Sequence, residues 1–257
     1  MSDVVTITRD GPVAHITLNR PEAFNAFNTA LRNGLKAAVA EVDYDDAIRV
    51  VVISGAGRGF CAGADLKEGV GGSPTNMMID QEYRPFLSAI ARSPKIWIAQ
   101  VHGSAAGIGA ALALTCDMMT MAEDASIYMA FAAISLVPDG GACWHLLRGM
   151  GYRRALQTIV EGRHIPAAQA VELGLANSAH APDALADETA AWAARIAAGA
   201  PLAAAAAKRL LRGMDAMSLE DAISAEGVEQ ARLVRSKDAR EGVAAFVEKR
   251  KAVFTGT

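Results

Sequence analysis

Two apolar segments, each running directly into a turn of small residues, are the strongest constraint on the fold of this chain. Val50–Gly55 is followed by AGRGFCAGADL, and Ile96–Gly103 is followed by SAAGIGAALAL. Short, uniformly apolar segments of this kind are typical of strands buried on both faces of a sheet. Helical spacing over Ala30–Val42 and around Met77–Ala91 precedes each strand. Strands that alternate with helices predict an α/β fold with a largely parallel sheet.

The two ends of the chain have different patterns. The stretch VVTITRDGPVAHITLNR alternates apolar and polar residues around Asp10-Gly11, which predicts a β-hairpin because this dipeptide accepts the positive φ of a tight turn. After Pro166 the sequence is almost wholly helical, and Gly199–Gly213 predicts a helix that starts beside Pro201 and ends at a glycine. We therefore expect a core domain over residues 1–198 and a helical segment over residues 199–257.

Composition and charge exclude several classes of partner. A chain of 257 residues with 52% hydrophobic content can bury a full core. Its net charge of −3 and its lack of long single-sign blocks argue against nucleic-acid or membrane binding. The start MSDVVTITRD lacks the basic and apolar stretches of a signal peptide, and no apolar run reaches membrane-spanning length. We expect a cytoplasmic protein.

The cysteines and histidines show no metal or disulfide pattern. Cys61, Cys116 and Cys143 are odd in number and lie in no CxxC motif, which fits a reducing compartment. The five histidines are scattered without an HExxH motif, so we predict no metal site. Because no motif pairs them with a histidine, Cys61 and Cys143 are interpreted as small core residues. His102 and His145 are interpreted as structural histidines.

The two small-residue turns supply backbone hydrogen-bond donors. Small side chains in Ser54–Leu66 and Val101–Leu114 let N–H groups approach a ligand closely. The second turn opens a helix, whose first N–H groups are unpaired and carry a partial positive charge. Together the turns could place donors on either side of one oxygen, as in an oxyanion hole. Taken alone, the small residues of either turn are explained equally well by the need for a tight turn and for close packing of a helix on the sheet.

A nucleotide site is disfavoured as an alternative. Residues 107–112, GIGAAL, follow a strand and open a helix as in a dinucleotide-binding fingerprint, but Leu112 replaces the third glycine. The chain also does not begin with this unit, and no glycine-rich turn ends in Gly-Lys-Ser/Thr.

A lone carboxylate, Asp139, stands in FAAISLVPDGGACW between Pro138 and two glycines. One interpretation is an N-cap for the helix that follows, worth about 1 kcal/mol. The other is proton transfer, because the apolar residues Phe131, Val137 and Trp144 would exclude water and raise the proton affinity of the carboxylate. From the residues alone both roles are open.

Six segments together carry a resemblance to a known family: ITLNRPEAFNAFN, GFCAGADL, VHGSAAGIGAALAL, VPDGGACW, VELGLAN and DAREGVAAFVEKRKAVF. Their order and spacing resemble the crotonase family, also called the enoyl-CoA hydratase/isomerase superfamily, over essentially the whole chain. This resemblance implies a spiral of ββα units with a C-terminal helical segment for trimerisation. It also implies acyl-CoA ligands, with CoA as part of the substrate and no tightly bound cofactor, and a homotrimer or a dimer of trimers.

The resemblance further implies the roles of particular residues. The two oxyanion donors correspond to the N–H groups of Ala64 and Ile108. The second position is usually glycine in the family, so the Ile108 side chain should narrow the acyl pocket.

The implied CoA contacts lie at two places in the sequence. The CoA-contacting turn corresponds to Ala62, Ala64, Asp65 and Leu66. Lys67 and RPEAF fall near the nucleotide end, and Phe246 and Lys249 correspond to positions that reach CoA bound to a neighbouring subunit. Ordinary helix packing would also explain Phe246, and solvated surface charge would also explain both lysines.

The chain departs from the hydratase pattern of the family. Hydratases hold a water between two glutamates, and those positions are Ala111 and Phe131 here. In isomerase branches the position of Asp139 supplies the acid/base. One carboxylate suffices for a double-bond shift, because it can remove a proton and return it while the thioester enolate rests in the oxyanion hole.

The resemblance therefore favours an acyl-CoA isomerase in fatty-acid or phenylacetate metabolism, acting on a 3-enoyl-CoA or a ring-epoxide phenylacetyl-CoA. The alternatives are a hydratase or another crotonase-type lyase or hydrolase, and a non-catalytic CoA-thioester binder. Glu161 is interpreted as a surface residue at a helix end. If the enzyme is a hydratase instead, Glu161 is the first candidate to replace the missing glutamates.

Overall fold

Two β-sheets form the centre of the molecule. The computed structural model describes residues 4–68 and 75–257, so Met1–Asp3 of the amino-terminal stretch discussed above lie outside the described residues. The larger sheet has the order β1-β2-β3-β4-β6-β9, and the smaller has the order β5-β7-β8. The strands are β1 (Val5–Asp10), β2 (Val13–Leu18), β3 (Val50–Gly55), β4 (Ile96–Val101), β5 (Ser104–Ala106), β6 (Met118–Ala122), β7 (Ser126–Tyr128), β8 (His164–Pro166) and β9 (Ser178–His180).

Helices connect the strands and make up most of the C-terminal third. They are α1 (Thr29–Tyr44), α2 (Thr75–Met78), α3 (Arg84–Arg92), α4 (Ile108–Thr115), α5 (Ala142–Val160), α6 (Ala167–Glu172), α7 (Leu185–Ala197), α8 (Pro201–Gly213), α9 (Leu219–Leu233) and α10 (Lys237–Glu248). A π-helical turn, Ile79–Tyr83, joins α2 to α3. Among the described residues no single helix could cross a bilayer by length and apolarity; only α7 and Pro201–Ala216 taken together, across a bend of 102°, pass that test.

The sheet has the predicted arrangement at its amino-terminal side. β1 and β2 pair antiparallel with Val5 opposite Leu18, which confirms the hairpin at Asp10-Gly11. β3 then pairs in parallel with both β2 and β4, and Val51 lies opposite Trp97. The described chain after Pro166 is almost wholly helical, as predicted, and the exception is β9, which pairs in parallel with β6. A three-residue strand is too short to show the alternation that identifies a strand in sequence.

The turn after β3 is held by one buried side chain, Asn25. Asn25 adopts a positive φ of 56°, is fully buried, and its Oδ1 accepts the N–H of Arg20 at 2.9 Å. Its Nδ2 donates to the carbonyl groups of Ala56, Gly59 and Phe60 at 2.9, 2.9 and 3.1 Å. A side-chain amide thereby satisfies buried backbone acceptors that a turn leaves without strand partners.

The C-terminal helices are joined to the core by buried polar contacts. Lys208 of α8 is 8% exposed, and its Nζ donates to the carbonyl groups of Ile90 and Lys95 at 2.9 Å each. The same ammonium group pairs with Asp117 at 2.8 Å. Burial lowers the pKa of Lys208, and the Asp117 carboxylate opposes that shift. A domain boundary near residue 199 stays a prediction.

We predict that Asn25→Ala lowers the free energy of unfolding by about 2–4 kcal/mol, because several buried backbone groups lose their partner at once and each unsatisfied group costs about 1–3 kcal/mol. Urea unfolding at neutral pH measures this change. The matched control is Asn33→Ala on the exposed face of α1, which should stay within about 0.5 kcal/mol of wild type. Equal midpoints for Asn25→Ala and wild type would contradict the role of Asn25.

Candidate active site

The two glycine-rich turns meet at the carboxyl edge of the larger sheet. The turn after β3 runs alongside β5, and Cys61 forms a parallel bridge with Ala105. The Cys61 N–H donates to the Ser104 carbonyl at 3.1 Å, and the Ala106 N–H donates to the Cys61 carbonyl at 2.8 Å. These bonds fix the first turn against the segment that leads into α4.

The turns touch closely because both carry glycine at the contact. Gly63 has a φ of +98°, and a Cβ added there would stand 3.0 Å from the Ala106 carbonyl oxygen and 3.7 Å from the Gly107 Cα. A larger residue would therefore be strained in its backbone and would push the turns apart. The small residues of the sequence pattern thus bring two backbone segments into contact.

Two N–H groups at this contact have no acceptor. The Gly63 carbonyl accepts the Phe27 N–H at 2.7 Å and the Asp65 N–H donates to the Phe27 carbonyl at 3.1 Å, so the N–H of Ala64 between them points away from Phe27. Ile108 is the first residue of α4, where the helix itself offers its N–H no acceptor. Neither N–H donates to another group among residues 4–68 and 75–257.

Both N–H groups belong to residues that line a cavity of about 510 Å³. Its wall also contains Asp139 and the apolar side chains of Phe131, Ile134, Leu136 and Met78. The remaining lining residues are Phe27, Thr29, Arg32, Ala62, Gly63, Asp65, Leu66, Glu68, Thr75, Glu82, Tyr83, Gly107 and Ala130. A cavity that joins apolar walls to a few converging polar groups suits a small-molecule site.

Most of the residues singled out from the sequence meet in this cavity. Those that line it are Ala62, Ala64, Asp65, Leu66, Ile108 and Asp139. Lys67 is an exposed neighbour of the turn, and its N–H donates to Asp65 Oδ1 at 3.1 Å. Phe246 and Lys249, at the end of α10, do not line the cavity of their own chain. Their contact with CoA in a neighbouring subunit stays a prediction.

Asp139 is held in place by the glycine that follows it. Gly140 has a φ of +60°, and a Cβ there would stand 2.3 Å from the Ile108 Cδ1 and 2.9 Å from the Ala111 Cβ. The backbone after Asp139 therefore lies directly on the first turn of α4. The position of the missing first glutamate, Ala111, provides the space for this approach.

The side chain of Asp139 does not cap α5. The N-cap of α5 is Gly141, without any side-chain hydrogen bond, and the Ala142 N–H donates to the backbone carbonyl of Asp139 at 3.0 Å. The cap interpretation of Asp139 is thus wrong for the carboxylate, because its backbone oxygen supplies the capping contact instead.

The Asp139 side chain is half-buried, and one of its carboxylate oxygens has no protein partner within the described residues. Its Oδ1 is shielded from solvent and makes no hydrogen bond within the described part of the chain. Burial raises the pKa of Asp139, and a contact with its own backbone N–H offsets this only in part. A carboxylate with a raised pKa holds a proton more readily than one in water, as proton transfer near neutral pH requires.

The other carboxylates of the cavity wall are paired with arginines. Asp65 pairs with Arg20 at 3.1 Å. Glu68 and Glu82 both pair with Arg32, Glu68 at 3.2 Å. Asp139 is the cavity carboxylate that makes no ion pair within residues 4–68 and 75–257.

Glu161 does not belong to the site. It is exposed, it accepts hydrogen bonds from Gln157 and Arg163, and these contacts lower its pKa. It lies outside the cavity wall. Glu161 is therefore the helix-end surface residue that the sequence indicated, and it cannot replace the missing glutamates from this position.

The apolar surroundings of Asp139 differ from the expected set. Phe131 lines the cavity, but Val137 is 73% exposed and Trp144 is 42% exposed. Trp144 stacks on Arg148, 3.6 Å from the guanidinium carbon to the ring centroid, one helical turn further along α5. Ile134 and Leu136 line the cavity wall instead of Val137 and Trp144.

Neither the cysteines nor the histidines supply chemistry to the cavity. Burial raises the pKa of Cys61 to about 12, so its thiol stays protonated. Cys143 is exposed rather than a core residue. His145 bonds Thr115 Oγ1 at 3.3 Å outside the cavity, and burial with two nearby arginines lowers its pKa to about 4. His102 contacts the Gly57 carbonyl at 3.0 Å. No three His, Cys, Asp or Glu side chains of the described ranges cluster as a metal site.

Two lining residues were missed from the sequence. Tyr83 precedes Phe86 and Leu87 at helical spacing, so it reads as part of an apolar stripe. Arg32 follows Leu31 on α1 and reads as an exposed charge, yet it is 7% exposed and faces the cavity. The only signal available was an arginine beside the buried face of a helix, which also fits a surface position.

Known proteins match this chain over nearly its full length. The model of the enoyl-CoA hydratase/isomerase family matches residues 8–257. The chain is 36% identical over 249 residues to the 1,2-epoxyphenylacetyl-CoA isomerase of Escherichia coli K12, with 95% of each chain covered. It is 38% identical over 245 residues to a probable enoyl-CoA hydratase of Rhodobacter capsulatus, with 95% of each covered. It is 34% identical over 257 residues to the 2,3-dehydroadipyl-CoA hydratase of Escherichia coli K12, with 100% of each covered.

Solved structures agree in fold. A crystal structure of an enoyl-CoA hydratase from Bacillus anthracis matches with a TM-score of 0.94 and 29% identity, covering 99% of this chain and 100% of that one. An enoyl-CoA hydratase from Mycobacterium smegmatis matches with a TM-score of 0.90 and 33% identity, covering 98% of each chain. The fold expected from the sequence motifs is thereby confirmed.

We predict that Asp139→Asn raises the free energy of unfolding at pH 7. Burial raises the pKa of Asp139 above its unfolded value of about 3.8, so the folded state binds more protons between the two values and stability falls as the pH rises through them. Asparagine carries no charge and escapes this penalty. Urea unfolding should show an advantage for the variant at pH 7 that shrinks as the pH approaches 4.

The matched control is Asp65→Asn, which removes the partner of Arg20 and should lower stability at pH 7. A loss of stability in Asp139→Asn at pH 7 would mean that the Asp139 carboxylate has a stabilising partner.

Proposed function

Because the chain belongs to the enoyl-CoA hydratase/isomerase family, we propose that it is an acyl-CoA isomerase that works through a thioester enolate. The family acts on acyl-CoA thioesters, and this chain is an enzyme of that kind. The isomerase assignment rests on one observation: among the described residues, Asp139 is the carboxylate of the cavity wall that makes no ion pair, has one oxygen shielded from solvent and has a raised pKa.

The mechanism needs one acid/base group and one site for negative charge. The Asp139 carboxylate removes a proton from a carbon of the acyl group, and the electrons move onto the thioester oxygen. The resulting enolate oxygen accepts hydrogen bonds from the N–H groups of Ala64 and Ile108. Asp139 then returns the same proton to a different carbon, so the double bond shifts and the enzyme is restored. No tightly bound cofactor takes part, and CoA enters as part of the substrate.

The substrates proposed are a 3-enoyl-CoA and a ring-epoxide phenylacetyl-CoA. The similarity to the 1,2-epoxyphenylacetyl-CoA isomerase of Escherichia coli supports the second. The acyl pocket is proposed to be narrowed by the Ile108 side chain. This side chain is 2% exposed and lines the cavity, where the family usually has glycine. The CoA moiety is proposed to contact the Ala62–Lys67 turn, in a cytoplasmic enzyme of fatty-acid or phenylacetate metabolism.

Hydration is the competing function, since two of the similar proteins carry hydratase names. It would need a second acid/base group beside Asp139. Glu68 and Glu82 line the cavity, but both are tied to Arg32. At the positions of the two hydratase glutamates the chain has Ala111 and Phe131, and neither side chain can accept or donate a proton.

A homotrimer, alone or as a dimer of trimers, is proposed for the assembly. α9 and α10 carry apolar side chains that are largely exposed in the single chain, including Ile223, Val228, Val243, Phe246 and Val247. Exposed apolar groups on consecutive helices favour burial against another chain. Phe246 and Lys249 would then reach CoA in the neighbouring subunit.

We predict that Asp139→Asn lowers turnover of both proposed substrates by about 10²–10⁴-fold or more, the usual contribution of a general acid/base. Asparagine keeps the size of aspartate but accepts no proton at neutral pH. Steady-state kinetics with a 3-enoyl-CoA and a ring-epoxide phenylacetyl-CoA measure the loss.

Calorimetry with an acyl-CoA provides the control, and it should give similar affinity for the variant and wild type. Wild-type turnover in Asp139→Asn would overturn the proposal. Rapid hydration of a 2-enoyl-CoA by wild type, without isomerisation of either proposed substrate, would favour the hydratase.

We predict that light scattering gives a solution mass three or six times that of the chain. Val247→Asp, which places a charge on the exposed apolar face of α10, should shift the mass toward the single chain. A wild-type mass equal to one chain would contradict the trimer and leave Phe246 and Lys249 without their proposed contacts.

A further inference from the structure

A second polar group in the cavity is buried without a partner. Tyr83 lines the cavity beside Asp139 and is 1% exposed. Its Oη makes no hydrogen bond among the residues that the structure describes, and the same holds for Asp139 Oδ1. Buried polar atoms are nearly always hydrogen-bonded in folded proteins. Two unsatisfied atoms on one cavity wall therefore point to groups of a ligand that satisfy them.

The Tyr83 ring is fixed by its neighbours. It packs edge-on against Phe27, with ring centroids 5.8 Å apart, and against Phe86, with centroids 6.1 Å apart. Edge-to-face contacts of this kind favour one ring orientation. The hydroxyl group therefore has a defined position before any ligand binds.

A cation, Arg32, lies close to the Tyr83 ring, and its N–H groups donate hydrogen bonds to other residues. Its guanidinium carbon lies 5.7 Å from the centroid of the Tyr83 ring. Its N–H groups bond to Glu82, Glu68, Thr29 Oγ1 and the Phe27 carbonyl. Arg32 consequently holds the wall of the cavity together, and it lies close enough to the Tyr83 oxygen to offset part of the rise that burial causes in the pKa of that hydroxyl. Because an arginine only donates hydrogen bonds, the Tyr83 O–H keeps its own hydrogen for a ligand.

The Tyr83 hydroxyl acts as a hydrogen-bond donor at neutral pH. Burial raises the pKa of Tyr83 to about 12, with Arg32 opposing the shift and the Asp139 charge adding to it. Both groups line the same cavity. A ligand that satisfies both must present a hydrogen-bond acceptor to Tyr83 and a C–H to the carboxylate.

We propose that Tyr83 determines specificity by donating a hydrogen bond to an oxygen substituent of the acyl group. This inference rests on the proposed function only in that the cavity holds the acyl group of a CoA thioester. The thioester oxygen is not the acceptor, because the N–H groups of Ala64 and Ile108 serve it. The favoured substrates are acyl groups with an epoxide, ether, hydroxyl or ketone oxygen near the carbon that Asp139 deprotonates.

The test compares two saturated thioesters of equal size that have no leaving group on the β carbon, 4-methoxybutanoyl-CoA and hexanoyl-CoA, in which an ether oxygen replaces one methylene. Calorimetry should show that wild type binds the ether about 5–10-fold more tightly, the value of one net hydrogen bond. Tyr83→Phe keeps the ring and removes the hydroxyl, so it should bind the two with equal affinity.

A matched control removes a hydroxyl elsewhere. Tyr44 is 89% exposed, and Tyr44→Phe should keep the wild-type preference. The melting temperature of Tyr83→Phe should equal or exceed that of wild type, because the Tyr83 hydroxyl makes no hydrogen bond within residues 4–68 and 75–257. A lower melting temperature together with an unchanged preference would overturn the proposal and assign Tyr83 a structural role.

The remaining outcomes separate this inference from the proposed function. If wild type binds both thioesters equally, the role of Tyr83 is wrong while CoA-thioester binding stands. If it binds neither at millimolar concentration, the premise shared by both proposals fails. If Asp139→Asn keeps full turnover while the ether preference depends on Tyr83, only the assignment of the reaction fails.

Discussion

The site depends on how the backbone of one turn is hydrogen-bonded. Cys61 pairs with the segment before α4 and Gly63 pairs with Phe27, so the turn between them is held from two sides. Parallel pairing leaves every second residue facing away from its partner. Ala64 is such a residue, and its N–H makes no hydrogen bond among the described residues because its neighbours are the ones that bond. The proposed oxyanion donor thus follows from the requirement that buried backbone groups be satisfied, without any special side chain.

Hydrogen bonds and ion pairs also distinguish the carboxylates of the cavity wall from one another. Asp65, Glu68 and Glu82 lie on the wall but are held by Arg20 and Arg32, which makes them part of the framework. Asp139 follows Pro138 and precedes two glycines of positive φ, and it makes no ion pair within residues 4–68 and 75–257. The lack of a charged partner suits the proton transfer that we propose for it.

The sequence predicted the parts of the site that depend on the backbone and missed those that depend on tertiary contacts. Glycine spacing after two apolar strands was enough to predict that the two turns meet, since parallel strands end at the same edge of a sheet. The resemblance to the family then singled out Ala64 and Ile108 within those turns. Tyr83 and Arg32 carried no such signal, because an aromatic at helical spacing and an arginine beside a buried face have common structural explanations. The expectation that Trp144 and Val137 surround Asp139 was wrong because closeness in sequence does not fix the direction of a side chain.

The charge balance of the cavity explains why an unpaired aspartate suits an enolate mechanism. Proton transfer from the acyl carbon to Asp139 moves one negative charge from the carboxylate to the thioester oxygen, so the net charge of the cavity is unchanged. Before transfer, the charge lies on a group with a buried, unsatisfied oxygen. After transfer, it lies beside two free N–H groups, one of them at the positive end of α4. Interactions that strengthen as the enolate forms lower the barrier, whereas a salt bridge to Asp139 would have stabilised the starting state instead.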